Sequence, residues 1–331
     1  MMSRFSSFVL ALLLLVASGQ VMAAAPWFSV AAGGPWDTAS TWDATSCSVA
    51  TAVTGVVPAA TEVVNICAGT VAVGADTNVV GALKVETASA ILAIGAFTAS
   101  ATAISTLNDG TITIAAGGDL VGTNLTTAGT GNVTGTTTGK ITLSGALTVG
   151  TDTTVAIGAG GTLTIGTNLD NSAGTLTLGT GAILKLADAN HIITTPTAPK
   201  TFPVVDASLL TGTGKTITFV GAANHTISSL TLPAAAAVGG SAKTVIFKIP
   251  DGQTLQLPVA FGTASTATTA GCAAVGTVYA ISATGTISLT GAQAAGDNVT
   301  CTVPPTAAPS TVSAPIFSTK EKAAVFGQEV K

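Results

Sequence analysis

The sequence predicts an all-β fold: an irregular right-handed parallel β-helix (a β-solenoid) with an N-terminal cap and a small C-terminal β module. The main observation is a recurring phrase in which a turn glycine precedes alternating threonine and aliphatic residues, the pattern of a short half-buried strand. Many short strands without helices between them are typical of all-β repeat proteins. Clear copies of the phrase are Gly110–Ile114, Gly139–Leu143, Gly161–Ile165, Gly174–Leu178 and Gly285–Leu289.

The spacing and alternation of the phrases define this prediction further. Their glycines are unequally spaced, so we expect turns with loops of variable length rather than a rigid hexapeptide repeat. Turns would stack about 4.8 Å apart, with the aliphatic side chains of Thr162–Ile165 in the core and its threonines outside. The alternative is an antiparallel barrel or sandwich, and in the repeat region Asp109–Gly110 is the hairpin signal that fits it.

Residues 1–24 are predicted to be a secretory signal peptide. Arg4 supplies the positive charge, Phe8–Ala17 is an apolar core too short to span a bilayer, and Val21–Ala23 fits a small-residue cleavage site. No later segment is apolar enough to cross a membrane as a helix. We therefore expect an exported chain, secreted or at the extracellular cell surface, without a transmembrane segment once the signal is removed.

The composition excludes one class of function. Charged residues make up 8% of the chain, against about 25% in ordinary proteins. Arg4 is the sole arginine, so ten of the eleven basic residues are lysines, and they face fifteen acidic residues. Nucleic-acid binders need clustered Lys and Arg to neutralise phosphates, so nucleic acid is excluded as a partner. A weakly charged, threonine-rich surface is typical of extracellular structural and adhesive proteins.

Residues 25–68 are predicted to form the N-terminal cap, because they hold all three tryptophans and precede the repeats. Repeat arrays need caps because terminal turns expose unpaired strand edges. The four cysteines of an exported chain predict two disulfides, for which three pairings exist. We favour Cys47–Cys67 and Cys272–Cys301, because an elongated repeat body would hold the two ends far apart.

The cap also carries a resemblance to known proteins. It rests on Gly33–Trp36, Ala39–Trp42, Gly55–Ala60, Val63–Ile66 and Gly69–Val73. This run of about forty residues resembles the opening of many secreted bacterial β-solenoid proteins and is similar to the start of G8-like and adhesin-like domains. The segment around Cys47 is an insertion relative to that pattern. With the signal peptide, the resemblance implies a surface protein of a Gram-negative bacterium, and it implies no particular activity.

The rest of the chain divides by composition. Residues 69–240 are predicted to be the solenoid, with looser last turns where Pro196 and Pro199 interrupt strand pairing. Residues 241–303 hold further strands and the second cysteine pair, and they predict a small disulfide-linked β module. Residues 304–331 read as a proline-rich linker and tail.

Catalytic and metal-binding residues are not expected. The acidic residues are scattered singly beside glycine or asparagine, where turn-forming Asx residues are common. Polysaccharide-cleaving chemistry needs paired carboxylates or a base beside calcium, and the best polar cluster is Asp188–His191. A solvated loop explains that cluster more simply. No metal-ligand spacing is present, so no cofactor is expected.

The threonine pairs are candidate surface-binding residues. Stacked on one flat face, they could order water or present hydroxyl groups to glycans. The simpler explanation is that threonine suits the outward side of any strand, and unequal turn spacing argues against a flat lattice. The candidates are Thr111, Thr113, Thr162, Thr164, Thr175 and Thr177.

Taken together, these features predict a secreted structural or adhesive cell-surface protein, such as a matrix, surface-layer or filament subunit. We expect self-association or binding to other cell-surface components, including glycans. Solenoids whose end edges are incompletely capped can pair end to end and form fibres. The alternatives are a glycan- or ice-binding solenoid and a polysaccharide-degrading enzyme.

Overall fold

The computed structural model describes residues 26–47, 56–77, 79–106, 109–196, 198–212, 214–221, 224–249, 253–258, 270–275, 279–281, 286–289 and 298–307. Within these residues the chain consists of β-strands and their connections, apart from one 3-10 turn at Ala39–Thr41. The expected signal peptide, part of the expected cap and most of the expected tail lie outside the described residues.

Short strands follow one another along the whole described chain. The first are β1 (Trp27–Ser29), β2 (Gly33–Pro35), β3 (Trp42–Asp43), β4 (Val63–Ile66), β5 (Gly69–Val73), β6 (Val80–Val85), β7 (Ala90–Ile94), β8 (Thr98–Thr106), β9 (Thr111–Ile114) and β10 (Asp119–Thr127). Next come β11 (Asn132–Gly135), β12 (Lys140–Leu143), β13 (Leu147–Val149), β14 (Thr154–Ile157), β15 (Thr162–Ile165), β16 (Asn168–Asp170), β17 (Thr175–Leu178), β18 (Ile183–Leu186), β19 (His191–Thr194) and β20 (Lys200–Phe202). The last are β21 (Val204–Asp206), β22 (Lys215–Val220), β23 (His225–Ile227), β24 (Leu230–Thr231), β25 (Lys243–Lys248), β26 (Thr254–Gln256), β27 (Gly271–Val275), β28 (Tyr279–Ile281), β29 (Thr286–Leu289) and β30 (Asn298–Val303).

These strands form a β-solenoid of about eight turns, in which each turn stacks in parallel on the one before. Face A1 contains β12, β15, β18, β21, β24 and the first halves of β8 and β10. Face A2 contains β1, β4, β6, β13, β16, β19, β22, β25 and the second halves of β8 and β10. Face B contains β2, β5, β7, β9, β11, β14 and β17, and the later turns place β20, β23 and β26 in face C. The predicted solenoid is confirmed, and a barrel is excluded.

The register between turns is regular through the middle of the stack. Asp119, Lys140, Thr162, Ile183 and Val204 follow one another as backbone partners on face A1, so these turns take 21, 22, 21 and 21 residues. The unequal spacing of the glycine phrases reflects the faces on which they lie: Gly110 and Gly174 precede strands of face B, whereas Gly139 and Gly161 precede strands of face A1. The strand β9 is in face B, for example, whereas β15 is in face A1.

Inward-facing side chains form continuous aliphatic columns that run through the stack. On face A1 the column is Leu120, Ile141, Leu163, Leu184 and Val205. On face B the column is Val71, Leu92, Ile112, Val133, Val155 and Leu176. All of these side chains are buried. Each contributes about 1.5–3 kcal/mol through removal of apolar surface from water, so the columns supply most of the stability of every turn.

The N-terminal end of the stack is covered by aromatic side chains and an antiparallel strand. The strand β1 pairs in parallel with β4 on one side and antiparallel with β3 on the other. Trp36 and Trp42 meet edge to face with ring centroids 4.9 Å apart, and the Trp42 indole N–H donates to the Trp36 carbonyl oxygen at 2.7 Å. The disulfide Cys47–Cys67 ties the end of this segment to the first complete turn.

The C-terminal end is covered by antiparallel strands. Parallel stacking continues past residue 240, because β25 pairs with β22 and β26 pairs with β23. Two antiparallel strands then cover this last turn: β30 pairs with β25, and β29 pairs with β26. The strand β27 extends the first of these additions, and its Cys272 forms a disulfide with Cys301, its directly opposite partner on β30.

The connection from face B to face A1 contains a residue with positive φ at the same position in successive turns of the solenoid. In one of these turns the residue is a threonine. Thr138 has a φ of 62° where the next turn has Gly160 with a φ of 69°. A β-branched residue in this region is strained by about 1–2 kcal/mol. We therefore expect Thr138→Gly to raise the free energy of unfolding by about 1 kcal/mol, measured by urea denaturation.

The reciprocal variant is the control for this prediction. A side chain at Gly160 meets no neighbouring atom within 4 Å, so Gly160→Thr adds backbone strain without a clash. It should lower the free energy of unfolding by about 1–2 kcal/mol. Equal stability of the two variants would contradict strain at this turn.

The two disulfides provide a test of the end caps. Removing Cys272–Cys301 with a double alanine substitution should cost roughly 3–4 kcal/mol and free the edge of β25 for pairing with other chains. Thermal unfolding and light scattering should therefore show a lower midpoint and concentration-dependent oligomers. The Cys47–Cys67 disulfide closes a loop of similar size, so its removal by the same double alanine substitution is the matched control. Monomers with an unchanged midpoint would refute a capping role for β30.

Candidate functional site

Four of the six threonine candidates lie together on the outer side of face B. Two outward-facing columns run along this face in register, and we call them together the threonine face. The first column is Thr70, Ile91, Thr111, Asn132, Thr154 and Thr175. The second column is Ala72, Ala93, Thr113, Thr134, Ala156 and Thr177. Thr111, Thr113, Thr175 and Thr177 therefore share one surface.

The other two candidates lie elsewhere. Thr162 and Thr164 belong to β15 and point outward from face A1. Sequence reasoning missed Thr134 and Thr154, which stand between the two candidate pairs on the threonine face, and Thr70 nearer the N-terminus. A repeat of 20 to 22 residues connects all of these positions and could have found them.

The two columns of the threonine face contain no charged side chain, and the Lys200 ammonium group from β20 donates to the Leu176 carbonyl oxygen on the last strand of face B. None of the outward-facing residues in these two columns is acidic or basic, whereas faces A1 and A2 carry lysines and aspartates. Among the described residues face B has seven strands, so at about 4.8 Å per strand the face is about 29 Å long. Its side chains are small and offer methyl and hydroxyl groups to a partner, supported from beneath by the aliphatic column of face B.

The cluster Asp188–His191 does not form a joint site. Asp188 is exposed and pairs with Lys215, with 3.4 Å between its carboxylate oxygen and Lys215 Nζ. His191 faces the interior, where its Nε2 lies 2.8 Å from the Ala187 carbonyl oxygen. Because the carboxylate points to solvent and the imidazole is buried, the two groups cannot act on one substrate.

Other acidic and amide side chains tie successive turns together. The Asp109 carboxylate accepts hydrogen bonds from the Thr130 hydroxyl and, at 2.8 Å, from the Thr130 backbone N–H, and these two contacts lower the pKa of Asp109. The Asn124 side-chain oxygen accepts from the Ala146 N–H at 2.8 Å in the same manner. These partners lie about one turn further along the chain, so the two side chains link neighbouring turns of the solenoid.

Two histidines are buried in the core. The His225 ring packs beside Phe219 and Phe202, with centroids 4.9 and 6.3 Å away, and its Nε2 lies 3.4 Å from the Thr195 hydroxyl. Burial lowers the pKa of His225 to about 4 and also lowers the pKa of His191. Both side chains are therefore neutral at neutral pH and part of the packing.

One group of side chains in the described part of the chain has the spacing of metal ligands: Cys47, Cys67 and Glu86. Both cysteines are used by their disulfide, so their sulfur atoms are not available as thiolates. Glu86 Oε2 lies 3.9 Å from Cys47 Sγ. The two cysteines of this group cross-link the N-terminal cap through their disulfide.

Comparisons with known proteins do not extend this description. The chain matches no protein-family model, no curated protein and no solved structure at a significant level. Among the described residues, no helix has the length and apolar character needed to span a membrane.

The buried His225 predicts an acid-sensitive stability. The unfolded state binds a proton near pH 6.5, whereas the folded state binds it only near pH 4. Stability should thus be complete above pH 6.5 and fall as the pH drops toward 4, by about 2 kcal/mol from this group. His225→Phe keeps an aromatic ring in place and should show a smaller loss between pH 7.5 and 4.5 in urea denaturation. An identical pH dependence in both proteins would disprove this role.

Proposed function

We propose that this protein is an exported adhesive module of a cell surface or extracellular matrix, which binds its partner through the threonine face and is not an enzyme. The observation that carries the proposal is the uncharged, in-register surface of face B. A partner that covers this surface does not have to remove water from any charged side chain of the two columns. A close contact with a flat, neutral partner is therefore favourable.

The covered ends support a role for the sides of the solenoid. Sequence analysis suggested end-to-end pairing through incompletely capped edges. In the structure β30 and β29 cover the last turn, and β3 covers β1 at the other end. Pairing of further chains with β1, β25 or β26 is therefore disfavoured, whereas β2 and β17, the two end strands of face B, have no covering strand among the described residues.

The size of the threonine face favours an extended partner over a single second copy. Strands of four residues are about 13 Å wide, so the face covers roughly 380 Å². Two copies would bury about 760 Å² in total, below the roughly 1,200 Å² that stable interfaces bury. Binding to a large surface instead allows many copies to attach at once, and the multivalency strengthens the overall attachment.

Two features support export. The chain holds two disulfides, which persist in oxidising compartments. The N-terminal segment has the pattern of a signal peptide. A Gram-negative source and the resemblance to adhesin-like domains remain part of the same proposal.

A second candidate is binding to ice or to an ordered glycan surface. The specific observation in its favour is the register of Thr154 with Thr175 in the first column and of Thr113 with Thr134 in the second, at the strand spacing. Ile91, Asn132 and three alanines interrupt the two columns. The hydroxyl lattice is therefore incomplete, and adhesion remains the first candidate.

Two double variants test the threonine face. Thr134→Lys with Thr177→Lys places charge on it, and we expect at least a tenfold loss of binding to insoluble surface fractions of the producing cells, measured by co-sedimentation. Thr126→Lys with Thr148→Lys makes the same change on face A2, where both residues are exposed and in register. This control should bind like the unmodified mature protein.

Three results bear on the alternatives. Equal binding by both double variants would reject the threonine face as the contact. Ordered filaments of the unmodified protein in negative-stain electron microscopy would favour a structural subunit over an adhesive module. Inhibition of ice recrystallisation, lost only in the Thr134 and Thr177 variant, would favour the second candidate.

A further inference from the structure

A groove follows the corner between faces A1 and A2, on a different side of the solenoid from the threonine face. It has a volume of about 410 Å³, within the range of sites that bind small molecules. Six hydroxyl side chains line it: Ser100, Thr102, Thr123, Thr142, Ser144 and Thr164. We call this feature the corner groove.

The corner groove crosses several turns of the solenoid. Val79, in the turn before β8, and Ala187, in the turn of β18, are its outermost lining residues along the stack. Between them the groove passes β8, β10, β12 and β15, which lie about 4.8 Å apart. This repeat is close to the length of one sugar unit in an extended glycan, so successive units would meet equivalent hydroxyl groups.

The polar groups of the groove are available to a ligand. Within the described residues, the hydroxyls of Thr102, Thr123, Ser144 and Thr164 have no hydrogen-bond partner in the protein. The Thr142 hydroxyl lies 3.1 and 3.3 Å from the two carboxylate oxygens of Asp119. Because it donates to that carboxylate, its oxygen lone pairs are left to accept a hydrogen bond from a ligand.

The charge and the apolar part of the lining define the ligand further. No described residue that lines the groove is charged. Val79, Val121 and the threonine methyl groups supply apolar surface between the hydroxyls. The matching ligand therefore carries hydroxyl groups and C–H surfaces and has no net charge, which is the chemistry of a neutral polysaccharide.

We infer that the corner groove binds a neutral polysaccharide chain laid along the solenoid axis. This site is separate from the threonine face and does not depend on the adhesive function proposed for that face. Hydroxyl side chains from four consecutive turns contribute to it, so it exists only in the stacked structure.

Affinity electrophoresis of the full mature protein in native gels tests the inference. The probes are two neutral polymers, dextran and hydroxyethyl cellulose, and two charged ones, polygalacturonate and chitosan. We expect at least one neutral polymer to slow migration and the charged polymers to have no such effect beyond that on a non-binding reference protein. Failure of both neutral polymers, or equal retardation by polygalacturonate, would overturn the inference.

Variants locate the site. Thr102→Val with Ser144→Ala removes two hydroxyls that have no partner within the described residues, and Thr123→Tyr fills the groove; each should weaken retardation at least fivefold. Thr126→Val with Thr148→Ala on face A2 is the matched control and should retain it. The Thr134→Lys and Thr177→Lys variant should also retain it, which separates this site from the threonine face. Undiminished retardation of the two groove variants would refute the site.

Discussion

Backbone hydrogen bonds between successive turns run parallel and in register through the stack, and the rest of the structure depends on this ladder. Because partners in the middle of the stack are 21 or 22 residues apart, the same position in each of these turns receives the same environment. Aliphatic residues therefore accumulate in columns inside, and hydroxyl residues accumulate in columns outside. The turn between faces B and A1 likewise repeats a left-handed residue at Gly117, Thr138, Gly160 and Gly181.

The same ladder creates the problem that the caps solve. A parallel stack ends in a row of unpaired backbone groups at each end, which would attract other chains. Antiparallel strands cover β1 at one end and β25 and β26 at the other, and each end also carries a disulfide. Covering the ends leaves the long sides as the surfaces that are open to partners, which directs the search for function to the threonine face and the corner groove.

The two surfaces differ in what they offer, although both are built from threonine. The threonine face is flat because its seven described strands lie side by side, and it suits a broad solid partner. The corner groove exists because the chain bends between faces A1 and A2, and it suits a single chain. Charged side chains such as Lys185 and Asp206 lie on face A1 and pair with each other 3.9 Å apart, away from the threonine face.

The sequence by itself determined the strands, their inward and outward sides, the tryptophan-rich start and the cysteine pairs, because these depend on local alternation and on the order of the chain. It could not determine which strands become neighbours. That depends on how many residues each turn takes, including loops that carry no periodic signal. For this reason Thr162 and Thr164 lie apart from Thr113, whereas Thr134 lies beside it. The corner groove likewise appeared only once the turns were stacked.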